Sequence, residues 1–341
     1  MPVFWKCHWL RRLPALVLFV LPAIAATAGA TPPPTAVLGV ADLAGLDRGE
    51  IVSYDVSEPT DKTLAAGLAM YVVAPPERAI AAVRNGVLLV GDPEVIAAGI
   101  FLPASGPQAL EGFEFGPADL DEADALSEVE PGSEFNFSEA EIAGFRMLGR
   151  TLARASETEK LRLLSRRYRE VLWQRLDGYR KNGAAAIAPY ARSGGNSVDV
   201  AAELRTFTEQ SALLRHYAPE LQAALLQFPA QPPSAAASTL QWVERKVEGR
   251  PTVILVHQMI QPTCGGALVV VRDFYVGHSF NSSQMVFGIL PYREGSLVFY
   301  SHSTSTDQVA GIGAGLKHAI GRDRLRAVMF ARMERFRASV R

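Results

Sequence analysis

The last hundred or so residues constrain the fold most, because a run of strand-like segments there leads into one long amphipathic helix. Short bursts of apolar and β-branched residues alternate with turn residues, a spacing typical of an antiparallel meander. The bursts cover residues 252–260, 267–276, 283–290 and 296–304. After Asp307 the apolar period changes from about two residues to about 3.6, which predicts a helix. Its apolar stripe consists of Val309, Ile312, Leu316, Ile320, Leu325, Val328, Met329, Met333 and Phe336.

A sheet and a long helix that each carry an apolar face must bury those faces against each other. The predicted fold class is therefore α+β, with a curved antiparallel sheet gripping a long C-terminal helix. Further strands are predicted earlier in the chain, at residues 50–56, 63–73, 87–90 and 95–102.

The N-terminus has the composition of a secretory signal peptide. Three basic residues precede an apolar stretch at residues 13–24, and small residues follow it, which is the order typical of such signals. The stretch is shorter than the roughly 20 residues of a comfortable bilayer span, although an uncleaved anchor is the alternative. We expect residues 1–30 to be removed on export to the periplasm or the outside. Residues 31–47, with three consecutive prolines, should form an extended leader.

Loss of the signal peptide takes three positive charges with it, so the formal net charge of −1 becomes −4. An exported, acidic chain is a poor candidate for binding nucleic acid. Cys7 is lost as well, which leaves Cys264 as a single cysteine that cannot form an internal disulfide. We expect Cys264 to be passive or to pair between molecules.

A short motif joins the second predicted strand to a short helix. It reads Val72-Val73-Ala74-Pro75-Pro76-Glu77-Arg78-Ala79-Ile80. Pro76 suits the first helical position, and Glu77 suits the positive end of the helix dipole.

This motif, with the later meander and the long C-terminal helix, resembles the START-like superfamily, also called SRPBCC or helix-grip. The likeness covers residues 48–103 and 238–337, although the usual aromatic residue near Ile80 is missing. The resemblance implies a curved sheet that closes on the C-terminal helix around an apolar cavity. Members bind lipids, sterols, polyketides or other hydrophobic molecules, and a few catalyse cyclisation or dehydration. They share no universal catalytic residues, so no catalytic residue, cofactor or metal is predicted here.

Residues 104–237 interrupt that likeness as an acidic segment followed by a helical insertion. From residue 85 to 145 there is neither Lys nor Arg, which predicts a solvated and partly mobile loop. Capping boxes then begin at Ser138 and Ser156. The predicted all-helical subdomain continues with helices at residues 156–183 and 198–214 and from Pro219, with a mobile turn at residues 190–196.

Three histidines on the predicted strands are the candidate polar anchors of a ligand. If they share one concave face, they could hold a ligand headgroup, act as acid and base, or bind zinc. They lie more than 20 residues apart along the chain, which is not paired metal-ligand spacing, and hydrogen bonding within the core is the structural alternative. The predicted ligand-binding residues are His257, His278, His302, Tyr300, Phe274, Met259, Leu316 and Ile320.

We therefore predict an exported protein that holds a lipid or another hydrophobic small molecule between the sheet and the C-terminal helix. One alternative is a START-like enzyme of the cyclase or dehydratase kind that uses the same histidines. Another is a protein-interaction module with a filled core. The helix is also basic on its outer side. A solvated face is the default interpretation, and contact with an anionic membrane surface is the functional alternative, which salt-sensitive binding to anionic vesicles would test.

Overall fold

An eight-stranded antiparallel sheet is the centre of the computed structural model, which describes residues 34–87, 92–230, 232–233, 235–311 and 313–341. The strands of the chain are β1 (Val52–Tyr54), β2 (Thr63–Val72), β3 (Val95–Phe101), β4 (Tyr190–Ala191), β5 (Ser197–Val198), β6 (Ala237–Val247), β7 (Arg250–Thr263), β8 (Gly266–Val276), β9 (Ser282–Tyr292) and β10 (Gly295–Ser305). The sheet order is β1-β2-β10-β9-β8-β7-β6-β3, and β4 and β5 form a separate hairpin. The first strands therefore complete a sheet whose larger part is the predicted meander.

The helices are α1 (Pro34–Leu38), α2 (Leu43–Asp47), α3 (Pro76–Arg84), α4 (Leu120–Ser127), α5 (Glu139–Leu152), α6 (Glu157–Asn182), α7 (Val200–Gln210), α8 (Ala212–Tyr217), α9 (Pro219–Gln227) and α10 (Ala314–Val340). Both predicted helix starts are present: Ser138 caps α5 in a full capping box with Glu141, and Ser156 caps α6. The side chain of Glu159 bonds Arg162 instead of closing a box with Ser156. Gly183 ends α6 with a φ of +63°, where a side chain would be strained. The helix predicted at residues 198–214 is two helices, because Ser211 is extended and caps α8.

The α10 face of the sheet, which carries Met70, Phe287 and Val298, packs against α3 and α10. Four side chains in the second half of α10 are buried there: Met329, Met333, Phe336 and Val340. Burial of these apolar groups is the main force that holds a helix on a sheet. The α+β prediction is confirmed, and a large antiparallel sheet with a C-terminal helix is compatible with a helix-grip fold.

The first half of α10 departs from the predicted stripe. Leu316 is 70% exposed, and Ile320 and Val328 are also exposed; Ile312 lies outside the described residues. Polar contacts hold this half instead. Arg322 donates to Glu58 at 3.0 and 2.6 Å, and His318 bonds the carbonyl of Asp61 at 2.7 Å. A 3.6-residue period shows which residues share a side of a helix, but not how far along its length that side is covered.

The opposite face of the sheet, called the α6 face, is covered by the helices of the insertion. Trp242, Leu255 and Tyr275 share a core with side chains of α5, α6 and α7. The described residues from 34 to 341 belong to one compact unit. The helices of the insertion and the sheet therefore share one hydrophobic core.

The acidic segment is not the solvated loop that its charge predicts. Phe113, Phe115, Phe135 and Phe137 are buried in the core of the α6 face. Aromatic side chains bury large apolar areas, so four of them outweigh the acidic composition of the stretch around them. The predicted mobile turn is also fixed, because Arg192 bonds Asp307 at 2.8 Å and the carbonyl of Gly132 at 2.9 Å.

Three predictions in the first hundred residues have different outcomes. The signal peptide and the strand at residues 87–90 lie wholly or mostly outside the described residues. The extended leader is wrong for residues 34–47, which form α1 and α2 with Leu38 and Leu46 buried. These leucines give that stretch an apolar surface to bury, which a proline-rich spacer lacks.

Candidate functional site

The three predicted histidines lie in three different places. His257 is fully buried on the α6 face, where the Tyr179 hydroxyl lies 2.9 Å from its Nδ1 and the Ser238 hydroxyl 2.9 Å from its Nε2. His278 follows the end of β8 and bonds Thr252 and the carbonyl of Pro251. His302 alone lies on the α10 face. The expectation that they share one concave face is therefore wrong.

Strand register explains the error. His257 pairs across the sheet with Arg272, which pairs with Gln284, which pairs with Ser303. Directly paired residues point to the same face, so His302, one residue away from Ser303, points to the other. Counting by twos within one strand says nothing about this relation between strands.

The other predicted ligand-binding residues are also dispersed. Phe274 stacks on Tyr179 with ring centroids 3.9 Å apart, and Met259 is buried on the α6 face. Leu316 and Ile320 are exposed. Only Tyr300 joins His302, with which it stacks at 5.9 Å.

Tyr300 and His302 meet α10 in an enclosed polar cluster. Arg332 of α10 donates to the Tyr300 hydroxyl at 2.9 Å, and that hydroxyl lies 3.3 Å from Nδ1 of His302. Nε of Arg332 and Nε2 of His302 are both enclosed, and neither has a hydrogen-bond partner among the described residues. Enclosed polar atoms are normally bonded, so two such nitrogens in one cluster indicate a place for an acceptor.

Positive charge is in excess around this cluster. Asp92 lies 3.1 Å from Arg245, 3.7 Å from Arg332 and 3.6 Å from Arg335. Asp273 accepts from the Ser283 hydroxyl at 2.5 Å, and burial raises the pKa of its carboxyl. Three guanidinium groups thus face two carboxylates, and protonation of Asp273 would increase the excess.

Burial and the charges of Arg332 and Arg245 lower the pKa of His302 to about 3. The imidazole is therefore neutral at neutral pH, and Nε2 can act as donor or acceptor according to its tautomer.

A pocket of about 190 Å³ lies beside the cluster, between α10 and the edge of β2 beyond the end of β1. It is lined by Tyr54, Asp55, Val56, Glu58, Ala65, Ala66, Arg322 and Arg326. Ala66 is the direct cross-strand neighbour of His302. Nε of Arg326 is enclosed without a hydrogen-bond partner among the described residues, whereas Arg322 is occupied by Glu58. The pocket is smaller than the roughly 300–1,000 Å³ typical of drug-sized ligands.

Sequence reasoning missed the charged members of this site. Arg332 could have been identified from the sequence, because it lies three residues after Met329 and four before Phe336. These spacings place it beside the buried stripe of the helix. Asp92, Arg245 and Asp273 come from distant strands and loops, and no local pattern marks them. β6, which carries Arg245, was itself not predicted as a strand.

No family model, curated protein or solved structure matches the chain. In the described ranges, no group of three or more His, Cys, Asp or Glu side chains could hold a metal ion. No helix among these residues is long and apolar enough to cross a membrane. Cys264 is a free, exposed cysteine at the end of β7.

Replacing His257 with asparagine should reduce the pH dependence of folding stability. Burial, with a contribution from Arg272, lowers the pKa of His257 to about 3, whereas an unfolded histidine has a pKa of about 6.5. Between these two pH values His257 takes up a proton in the unfolded chain but stays neutral in the folded chain. Stability is therefore fully present above about pH 6.5 and falls on acidification, by roughly 1 kcal/mol per pH unit for this histidine.

Urea denaturation at about pH 7 and about pH 5 measures this effect. The difference in unfolding free energy between the two conditions should be smaller in His257→Asn than in the wild type. Equal differences would show that His257 takes up its proton in the folded state.

Proposed function

We propose that the protein binds a small amphipathic molecule in the cleft between the sheet and α10, with an anionic headgroup toward His302, Arg326 and Arg332. The observation that carries this proposal is a set of enclosed nitrogens without hydrogen-bond partners among the described residues. Nε of Arg326 belongs to the lining of the 190 Å³ pocket, and Nε of Arg332 and Nε2 of His302 belong to the polar cluster beside it. A START-like mode of binding, in which sheet and C-terminal helix hold the ligand between them, is part of the proposal.

The chemistry of the headgroup follows from the donors. The Nε–H of an arginine can only donate, and an enclosed donor without a partner costs about 1–3 kcal/mol. A carboxylate or phosphate oxygen would satisfy such donors through charge-assisted hydrogen bonds. The surplus of guanidinium groups over carboxylates in the polar cluster around Arg332 also favours an anion. The pocket lining itself contains two arginines and two acidic residues, Asp55 and Glu58.

Room for the apolar part of the ligand lies toward the first half of α10. The second half is packed, with Met329, Met333 and Phe336 filling the space against the sheet. The first half contributes few buried side chains, and Gly311 and Gly313, both with positive φ, precede it. A tail longer than the pocket allows would enter as this half of α10 moves outward.

The alternatives are less well supported. Acid–base catalysis by several histidines loses its basis, because His257 and His278 are distant from the cleft. An interaction module with a filled core, in which the acidic segment and helical insertion recognise the partner, remains a second proposal. Contact of the exposed side of α10 with an anionic membrane would rest on fewer charges than the sequence suggests, since Arg322, Arg324 and Arg335 already face Glu58, Glu248 and Asp92.

Calorimetric titration with octanoate and with octanol tests the proposed site. Saturable binding of octanoate is expected, with octanol much weaker because it lacks the charge. Arg326→Met should weaken octanoate binding at least about tenfold, equivalent to about 1.4 kcal/mol. The matched control is Arg324→Met, which removes an exposed arginine paired with Glu248 at 2.9 Å and should leave binding within about twofold.

Two results would end the proposal. One is the absence of saturable binding for octanoate and for octyl phosphate alike. The other is an equal effect of the two arginine variants.

A further inference from the structure

A row of polar side chains crosses the α6 face, on the other side of the sheet from the proposed cleft. Ser303, Gln284, Arg272 and His257 are successive cross-strand neighbours in this row. Arg272 is only 2% exposed. A buried guanidinium usually has a carboxylate partner, so its surroundings show how this charge is accommodated.

The hydrogen-bond partners of Arg272 in the described part of the chain are all neutral. It donates to the Thr208 hydroxyl at 2.7 Å, to the Leu225 carbonyl at 3.1 Å and to Oε1 of Gln284 at 3.2 Å. The Leu225 carbonyl belongs to the last turns of α9, whose dipole is negative at that end. These dipoles stabilise the cation without cancelling its charge.

Arg272 also fixes the orientation of the Gln284 amide. Oε1 of Gln284 accepts from Arg272 at 3.2 Å, and the Thr208 hydroxyl, whose single hydrogen is shared with the Leu204 carbonyl, lies 2.8 Å from it. The NH₂ group, which can only donate, must therefore point away from the guanidinium. Gln284 is 3% exposed, and no hydrogen bond joins its Nε2 to a described residue. The NH₂ group is thus a donor directed into the space beyond.

That space is a pocket of about 40 Å³, which Gln284 lines together with Ser301, Ser303, Gln210, Phe207 and Val286. Oε1 of Gln210 accepts from the Ser57 hydroxyl at 3.2 Å, so its NH₂ group is also available as a donor. Two amides and four serine side chains, those of Ser57, Ser211, Ser301 and Ser303, thus line the pocket, and the charge of Arg272 lies directly behind Gln284. Phe207 and Val286 give it an apolar wall.

We infer that this pocket binds a small carboxylate, such as acetate or another short-chain acid. Carboxylate oxygens are acceptors only, which matches the two amide donors and the hydroxyls, and Arg272 supplies a favourable field in a region of low dielectric. A volume of 40 Å³ corresponds to about three water-sized spheres, which limits the ligand to a few non-hydrogen atoms. A short alkyl group would lie against Phe207 and Val286. The linings of this pocket and of the proposed cleft share only Val56, and the inference does not rest on ligand binding in the cleft.

Side-chain amide resonances of Gln284 and Gln210 in ¹⁵N-labelled protein provide the test. Titration with sodium acetate should shift both resonances to saturation, whereas sodium chloride at matched ionic strength should not. Gln210→Leu and Ser303→Val should each weaken acetate binding at least about fivefold. The control is Gln108→Leu, which alters an exposed glutamine that is not part of the pocket lining. It should leave the acetate titration of Gln284 unchanged.

A shift that grows linearly with acetate, or that chloride reproduces, would overturn the inference. So would a Gln284 shift that saturates at the same acetate concentration in Gln210→Leu as in the wild type. Gln210 is exposed, so this variant is expected to fold and weaker binding in it reports on the pocket. The readout is specific to the α6 face, so failure of octanoate binding at Arg326 and failure of acetate binding at Gln284 are separate results.

Discussion

Replacing Phe336 with alanine is expected to lower the free energy of unfolding by about 3–5 kcal/mol. The ring is buried between α10 and the sheet, and it meets Phe287 edge-on with centroids 5.1 Å apart. Its removal loses apolar burial and the aromatic contact and leaves a cavity that packed neighbours cannot close. Urea denaturation followed by circular dichroism measures the loss.

Phe330 of the same helix is the matched control. It is 47% exposed, so Phe330→Ala should change the unfolding free energy by no more than about 0.5 kcal/mol. The pair tests whether the second half of α10 is oriented on the sheet as described. A larger loss in Phe330→Ala than in Phe336→Ala would show that the helix is turned the other way.

Arg175→Met is expected to cost about 3–5 kcal/mol of folding stability, because it leaves the Glu141 carboxylate without its buried counter-charge. Arg175 binds this carboxylate in a bidentate manner at 2.8 and 2.5 Å. Its guanidinium also lies 4.5 Å from the centroid of the Tyr275 ring. The pair joins α5 to α6 and fixes both against the α6 face of the sheet.

A second substitution separates the lost charge pairing from lost packing. Glu141→Gln removes the stranded charge, so the double variant Arg175→Met/Glu141→Gln should be more stable than Arg175→Met alone. Arg162→Met, which breaks an exposed pair with Glu159 on α6, should have little effect. If the double variant is less stable than Arg175→Met, the stranded carboxylate is not the cause of the loss.

The elements with local signals were predictable from sequence. Ser138 and Ser156 mark the helix starts, because each serine side chain accepts a hydrogen bond from the backbone N–H three residues later. Pro76 and Pro219 begin α3 and α9 because a missing N–H costs nothing at a helix start. The four bursts of the meander became β7 to β10, since their spacing and turn residues are local features.

Features set by distant contacts were not predictable in this way. The burial of Phe113 and Phe135 depends on a sheet face built from strands more than 100 residues later. The acidic composition around these residues therefore led to the wrong prediction of a solvated loop. The separation of His257 from His302 depends on register across four strands. A β-bulge between β7 and β8 at Leu255/Val256 further disturbs the alternation near His278.

The residues of the candidate site also fall into those that local spacing identifies and those that depend on tertiary structure. Tyr300 and His302 were found because residues two apart on a strand share a face. Arg332 and Arg326 required the rotation and position of α10 relative to the sheet. Asp92 and Arg245 come together only through tertiary structure, with Nη2 of Arg245 3.1 Å from Asp92.

A crystal structure of the protein with octanoate is the most direct measurement of the proposed ligand site. We expect the carboxylate in the cleft between β2 and α10, within about 2.7–3.2 Å of Nε of Arg326 or Nε2 of His302. The alkyl chain should lie beneath a displaced first half of α10. A cleft that holds only ordered water, with octanoate absent or bound elsewhere on the surface, would contradict the proposed function.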